Sequence, residues 1–206
     1  MFLLTAVFLQ GGVLVVEAQG ASKVPQSVLD QAEAATRTMG QQVLQGNFRV
    51  ALDRMYPRWK KRAAKKLQGG QAELAKRLAE IPKEMARQGI SMLNYEVQKP
   101  TSAHEVVLLR GEDKEGRPIR MYLEWLVFVP TRAEYRVIDP TTRLPRKIET
   151  TGFQIAVNKK GTPDWHFIDG RNCSIADLRS FFPSLPENQK LLGLPEVGGG
   201  EVELER

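Results

Sequence analysis

The chain has 206 residues, of which 42% are hydrophobic and 26% charged, and it contains one cysteine. These values are typical of a single globular domain, and one cysteine excludes an intrachain disulfide. The formal net charge of +6 favours contact with anionic surfaces such as lipid head groups or acidic polysaccharide.

Residues 1–18, "MFLLTAVFLQGGVLVVEA", have the pattern of a secretory signal peptide. An apolar run precedes Val16 and Ala18, which match the small residues that export peptidases accept, so cleavage is expected after Ala18. A buried N-terminal helix or a membrane anchor is the alternative, although Gln10, Gly11 and Gly12 leave the run short of the roughly 20 apolar residues a span requires. We therefore predict a periplasmic or secreted protein with no transmembrane helix once the signal is removed.

Residues 19–27 are predicted to form a polar linker, with Ser27 as the N-cap of the first helix. Apolar residues then recur at helical spacing in three successive segments, which indicates three helices. Asn47 is the expected cap of the second helix, and Pro57 is expected to stop or bend it. Beyond Pro57, Trp59, Ala63 and Leu67 continue on one face up to a stop at Gly69 and Gly70. The third is expected to kink at Pro82 and to end at Gly89. The apolar residues on one face of each predicted helix are, in order, Val28, Ala32, Ala35, Met39 and Val43, then Phe48, Ala51, Leu52, Met55 and Tyr56, then Leu74, Leu78, Ile81 and Met85.

Beyond Gly89 the apolar period changes to that of β-strands, so the order of elements predicts an α+β fold. The predicted strands are 91–98, 104–111, 118–130, 147–158 and 164–169, followed by a short helix at 175–182. The segment from Arg132 to Arg146, with Pro140 and Pro145, is predicted to be a basic loop or a ragged edge. Residues 28–195 are expected to form one domain, and 196–206 a disordered tail.

Several segments together resemble the nuclear transport factor 2-like superfamily, and in particular its exported bacterial members. These segments are "GNFRVALDRMYPRW", a Gly-Gly turn, a helix ending at Gly89, "WHFIDG" and "LRSFFPSLP". The resemblance covers roughly Gln41 to Pro195. It implies three N-terminal helices packed on a strongly curved antiparallel sheet, which together form a cone or half-barrel with a short C-terminal helix. Because this fold hosts enzymes, adaptors and subunits, it does not by itself choose a function.

The resemblance also implies where acid–base chemistry would lie, since enzymes of the superfamily place Asp, Tyr or His inside the cone. Tyr56 with Asp53 or Asp169 is the candidate set. The simpler interpretation is a packed Tyr56 with its hydroxyl on a backbone carbonyl, and Asp169 capping a turn before Gly170. In "DWHFID", strand alternation sends Trp165 and Phe167 to one face and His166 to the other, where it is expected to be solvated.

The candidate ligand-binding residues are the aromatic residues expected to line the cone: Tyr56, Trp59, Trp125, Trp165 and Phe167. No metal site is predicted, because His104, His166 and Cys173 are isolated and have no ligand spacing. No cofactor is predicted either, because the chain lacks a phosphate-binding loop and a dinucleotide fingerprint.

The strongest charge signal is "RWKKRAAKK", which predicts a basic amphipathic helix. Its cations could contact anionic lipid or glycan, whereas export makes nucleic acid an unexpected partner. An ordinary solvated helix face is the alternative interpretation. The residues are Arg58, Lys60, Lys61, Arg62, Lys65 and Lys66.

Taken together, these features favour an exported, non-enzymatic domain that binds a small apolar ligand, a protein partner or a second copy of itself. Two alternatives stay open. One is a small acid–base enzyme of isomerase or dehydratase type, and the other is a binder of anionic surfaces through the basic helix.

Overall fold

A computed structural model describes residues 24–188 and 192–202 of the chain. Helices come first and antiparallel strands follow, which confirms the predicted α+β class. The predicted signal peptide, and the linker as far as residue 23, lie outside the described residues. No helix in the described part of the chain is long and apolar enough to cross a membrane.

Four helices, rather than three, precede the first strand. The additional break falls at Pro57, where the second predicted helix is expected to stop or bend. Pro57 then begins a new helix, because the backbone N–H groups of the first helical turn have no partner within the helix, and proline lacks this group at no cost there. The expected caps are displaced: Pro25 precedes the first helix in place of Ser27, and Phe48 precedes the second in place of Asn47. The helices are α1 (Gln26–Leu44), α2 (Arg49–Asp53), α3 (Pro57–Lys65) and α4 (Gly70–Arg87).

Six strands form one open sheet, built on the long hairpin of the third and fourth strands. The first two strands pair with different halves of the third, and the last two pair with different halves of the fourth. The strands are β1 (Ser91–Val97), β2 (Ser102–Glu112), β3 (Pro118–Ile138), β4 (Pro145–Lys159), β5 (Trp165–Asp169) and β6 (Gly198–Val202). A short helix, α5 (Ile175–Phe181), lies between β5 and β6.

The prediction of a basic loop or a ragged edge from Arg132 to Arg146 is wrong for most of that segment. The β3 strand continues to Ile138, because β1 pairs with it on one side and β4 on the other, which satisfies its backbone groups despite the charged composition. The turn between β3 and β4 is short, and the Asp139 carboxylate accepts hydrogen bonds from the backbone N–H groups of Thr141 and Thr142.

The C-terminal tail also differs from the prediction of disorder over 196–206. Gly198–Val202 forms β6, which pairs antiparallel with residues 147–151 of β4. Residues 203–206 lie outside the described part of the chain.

Both faces of the sheet are buried. On one face, which we call the helical face, Ala32 and Met39 of α1 pack against alternating strand residues. On the other face, residues of α5 and of the chain that follows it pack against the intervening strand residues. The helical face contributes Val97, Val127, Val129, Ala156, Trp165 and Phe167, and the opposite face contributes Val106, Leu126, Phe128, Phe153, Ile155, Val157 and Ile168.

Candidate functional site

A cavity of about 430 Å³ lies between the helices and the helical face of the sheet. Its floor follows from strand register. On β3 the residues of this face run Val127, Val129, Thr131, Ala133 and Tyr135, and the small Ala133 leaves space between its larger neighbours. Because small residues cannot fill the space under a helix layer, a cavity remains at this end of the sheet.

The adjacent strand β4 continues the same floor. Gly152 lies opposite Thr131, and Thr150 lies opposite Ala133. On the other side of β3, Tyr95 of β1 pairs with Ala133 and closes that edge of the cavity. The roof is largely apolar and is supplied by all four N-terminal helices, through Met39, Gly40, Val43, Ala51, Trp59 and Leu78. The arrangement suits an apolar molecule with a few polar contacts.

The charged groups of the cavity lie where β5 ends. The Asp169 carboxylate accepts a hydrogen bond from the Arg171 backbone N–H at 3.2 Å and another from the Asn172 side-chain amide at 2.7 Å. The predicted role of Asp169 as a turn cap is therefore confirmed. The Arg171 guanidinium donates to the carbonyl oxygens of Thr151 and Gly198. We call Asp169, Arg171 and Asn172 the polar rim.

Two tyrosines line the cavity, and both have a raised pKa. Burial raises the pKa of Tyr95 to about 12, and the neighbouring Thr131 side chain acts in the opposite direction. The Tyr95 hydroxyl is shielded from solvent and has no hydrogen-bond partner that meets normal geometry in the described part of the chain. Burial also raises the pKa of Tyr135, against the lowering effect of the Arg171 charge. Both phenols are therefore neutral at ordinary pH.

The predicted ligand-binding aromatic residues do not all reach this cavity. Trp59 and Phe167 line it. Trp165 is buried against α1 and borders a separate space of about 150 Å³. Trp125 is half-buried beneath the Lys160 ammonium, which lies 4.0 Å from the centre of its ring. Tyr56 belongs to the cluster on the opposite face.

The acid–base set predicted around Tyr56 does not assemble in the cavity. The Tyr56 hydroxyl donates to the Glu124 carboxylate at 3.0 Å, and its ring packs 5.5 Å from that of Phe182. The simpler expectation, that the Tyr56 hydroxyl donates to a backbone carbonyl, is thus also wrong. Asp53 is exposed and pairs with Arg49, and Asp169 lies at the exposed polar rim. Tyr56 turns away because residues 54–56 join the edge of β5 through backbone hydrogen bonds to Phe167.

Replacing Tyr56 by Phe is expected to lower the free energy of unfolding by about 1–3 kcal/mol, because the Glu124 carboxylate loses its donor. Burial first, and the Glu124 charge second, raise the pKa of Tyr56 from 10.0 to about 12. Folding thus favours the neutral phenol, whose contribution is complete below pH 10 and is lost as pH rises through about 12. Urea denaturation at pH 7 and near pH 11 measures both effects.

Tyr122→Phe is the matched control for Tyr56→Phe, since no hydrogen bond of the half-buried Tyr122 hydroxyl occurs among the described residues. Equal stability losses in the two variants at pH 7 would contradict a specific contribution from the contact between Tyr56 and Glu124.

His166 is half-buried on the face opposite Trp165 and Phe167, and not fully solvated as expected. Its neighbour Ile168 belongs to the buried cluster beneath the C-terminal segment. Burial is the first cause that lowers the pKa of His166, and the Arg54 charge is the second. The side chain is therefore largely neutral at physiological pH.

The cations of α3 do not form one free surface. The Arg58 guanidinium donates to the Phe181 carbonyl at 2.8 Å and lies over the Phe181 ring, while Arg62 pairs with Asp177 and donates to Ser180. Lys60 donates to the Leu52 carbonyl. Of the six predicted anion-contacting residues, only Lys61, Lys65 and Lys66 are exposed and make no hydrogen bond or ion pair among the described residues.

Within the described residues, no group of three or more His, Cys, Asp or Glu side chains could hold a metal ion. Cys173 is half-buried, and burial raises the pKa of its thiol to about 12, so the thiolate is scarce at neutral pH.

Neither a protein-family model, nor a curated protein, nor a solved structure matches the chain significantly. Inferences about function therefore depend on the cavity and its surroundings alone.

Proposed function

We propose that the chain is an exported, non-enzymatic binding domain whose cavity takes a small and mostly apolar molecule. The observation that carries this proposal is the space of about 430 Å³ between the helices and the helical face. Aliphatic and aromatic side chains form most of its wall, and its two charged side chains, Asp169 and Arg171, lie at the polar rim. Ligand sites in proteins typically combine an apolar wall with a small number of placed polar groups.

The proposal includes the finer architecture implied by the resemblance, in which helices close over a strongly curved sheet of the nuclear transport factor 2-like type. Two features support it. Both long strands change partners midway, and the small residues Thr131, Ala133 and Gly152 lie where the interior of such a cone would be. The proposal of export is supported by the pattern of residues 1–18 in the sequence.

Native mass spectrometry of the chain, purified from an export-competent host, tests the proposal. We expect an adduct that survives gentle ionisation and is lost on denaturation, and a polypeptide mass that corresponds to cleavage after Ala18. A full-length polypeptide would overturn the proposal of cleavage, independently of whether a ligand is bound.

Replacing Ala133 by Leu is expected to remove the adduct, because the larger side chain fills the cavity floor. Ala133 is buried at the centre of that floor. Ala34→Leu, at an exposed position of α1, is the matched control and should keep the adduct. Circular dichroism shows whether each variant is folded, and Val43→Phe fills the same space from the roof if Ala133→Leu does not fold. A folded Ala133→Leu variant with an undiminished adduct would place the ligand elsewhere.

A further inference from the structure

The roof of the cavity is loosely packed on one side. Of its 18 residues, α4 buries none, whereas α1 buries Ala32, Thr36, Met39 and Gly40. Along the apolar stripe of α4, Leu78 is half-buried and Ile81 is 39% exposed. An amphipathic helix normally buries its apolar stripe, whereas α4 leaves part of its stripe exposed beside the cavity.

Two further spaces lie beneath and beside α4, and they share walls with the cavity. One of about 540 Å³ lies between α2 and α4, and Leu78 separates it from the cavity. The other, of about 210 Å³, is separated from the cavity by Val43 and Met92. Both are bordered by Phe48 and Pro82. The three spaces thus form an elongated and largely apolar region, divided by Leu78 on one side and by Val43 and Met92 on the other, and Arg49 and Lys76 also line the space between α2 and α4.

We infer that the ligand carries a long, unbranched acyl chain, which runs from the cavity past Leu78 into the space between α2 and α4. This inference rests on the proposed function and specifies the class of its ligand. A methylene chain is narrow, so it can pass between the two spaces when the Leu78 side chain alone changes position. A fused-ring molecule requires a wider opening. The charged groups that line the cavity, Asp169 and Arg171, both lie at the polar rim, so a polar head group is expected there.

Saturated fatty acids of increasing length, from about eight to about eighteen carbons and below their micelle concentrations, are the probe. Isothermal titration calorimetry with the purified chain measures their affinities. Each added methylene is expected to strengthen binding by about fourfold while it enters the apolar region. The affinity should continue to rise for acids whose chains are too long to fit within the cavity alone.

Two substitutions at the junction are expected to act in opposite directions. Leu78→Ala opens the junction and should strengthen the binding of long acids, whereas Leu78→Trp blocks it and should weaken that binding by about tenfold or more. Because Leu78 also lines the cavity, a second variant separates the two effects: Ala75 lines only the space between α2 and α4, so Ala75→Trp should weaken the binding of long acids and leave short acids unaffected. Glu80→Trp places the same side chain at an exposed position of α4 and is the matched control.

The inference fails if affinity stops rising at short chain length, or if Leu78→Trp leaves long acids unchanged. Either result is compatible with the proposed function, provided that short acids bind and Ala133→Leu removes their binding. Binding of a compact apolar adduct without any affinity for the acids also overturns the inference alone. Absence of any adduct and of any binding overturns both.

Discussion

Replacing Phe182 by Ala is expected to lower the free energy of unfolding by about 3–5 kcal/mol, the usual loss when a large buried aromatic side chain is removed. Phe182 is 0% exposed, and its ring contacts those of Tyr56 and Phe181. It follows α5 in the segment that covers the face of the sheet opposite the helices. Urea denaturation followed by far-ultraviolet circular dichroism measures the loss.

Phe48→Ala is the matched control, since Phe48 is only half-buried beside α2 and lies outside both buried clusters. It should lose clearly less stability than Phe182→Ala. A change of under about 1 kcal/mol for Phe182→Ala would mean that the C-terminal segment is not an integral part of the folded domain. That result would leave the second face of the sheet without its cover.

Replacing Gly40 by Ala is expected to destabilise the protein by about 1–3 kcal/mol, the usual effect of overpacking. An added methyl group would lie 2.0 Å from the Tyr95 ring, so α1 or the ring would have to move. The result is diagnostic because the same exchange inside a helix otherwise stabilises by roughly 0.5–1 kcal/mol. Thermal or urea unfolding gives the sign directly.

The double variant Gly40→Ala with Tyr95→Ala tests the cause. Removing the ring should relieve the clash, so the loss caused by Gly40→Ala should be smaller in the Tyr95→Ala background. Gln41→Ala, at the next and exposed position of α1, controls for helix propensity. Stabilisation by Gly40→Ala alone would contradict the close approach of α1 to β1.

The candidate site was only partly predictable from the sequence. The sequence predicts Trp59 and Phe167 as ligand-binding aromatic residues, and both line the cavity. Tyr95 and Tyr135 were missed, although Tyr135 continues the alternation of Val127, Val129, Thr131 and Ala133 along β3. That alternation is hard to see in the sequence because the residues after Pro130 are rich in charge, which favours a loop or a ragged edge over a strand.

The orientation of the Tyr56 side chain could not be predicted from the sequence for a different reason. The apolar spacing placed it on a helix stripe, but residues 54–56 leave the helix and pair with the edge of β5. A backbone pairing between segments more than a hundred residues apart leaves no local pattern. The partner of the hydroxyl, Glu124, is also distant in sequence, by 68 residues.

The sequence alone determined the α+β class, the placement of the N-terminal helices before the strands, and the positions of most strands. It could do so because the apolar period changes from helical to extended at Gly89, and because Gly and Pro mark the breaks. The tertiary structure decided which residues share a space. It covered the second face of the sheet with the C-terminal segment, tied Arg58 and Arg62 to that segment, and left small residues beneath the helices. These outcomes depend on strand register and on contacts distant in sequence, which local periodicity does not encode.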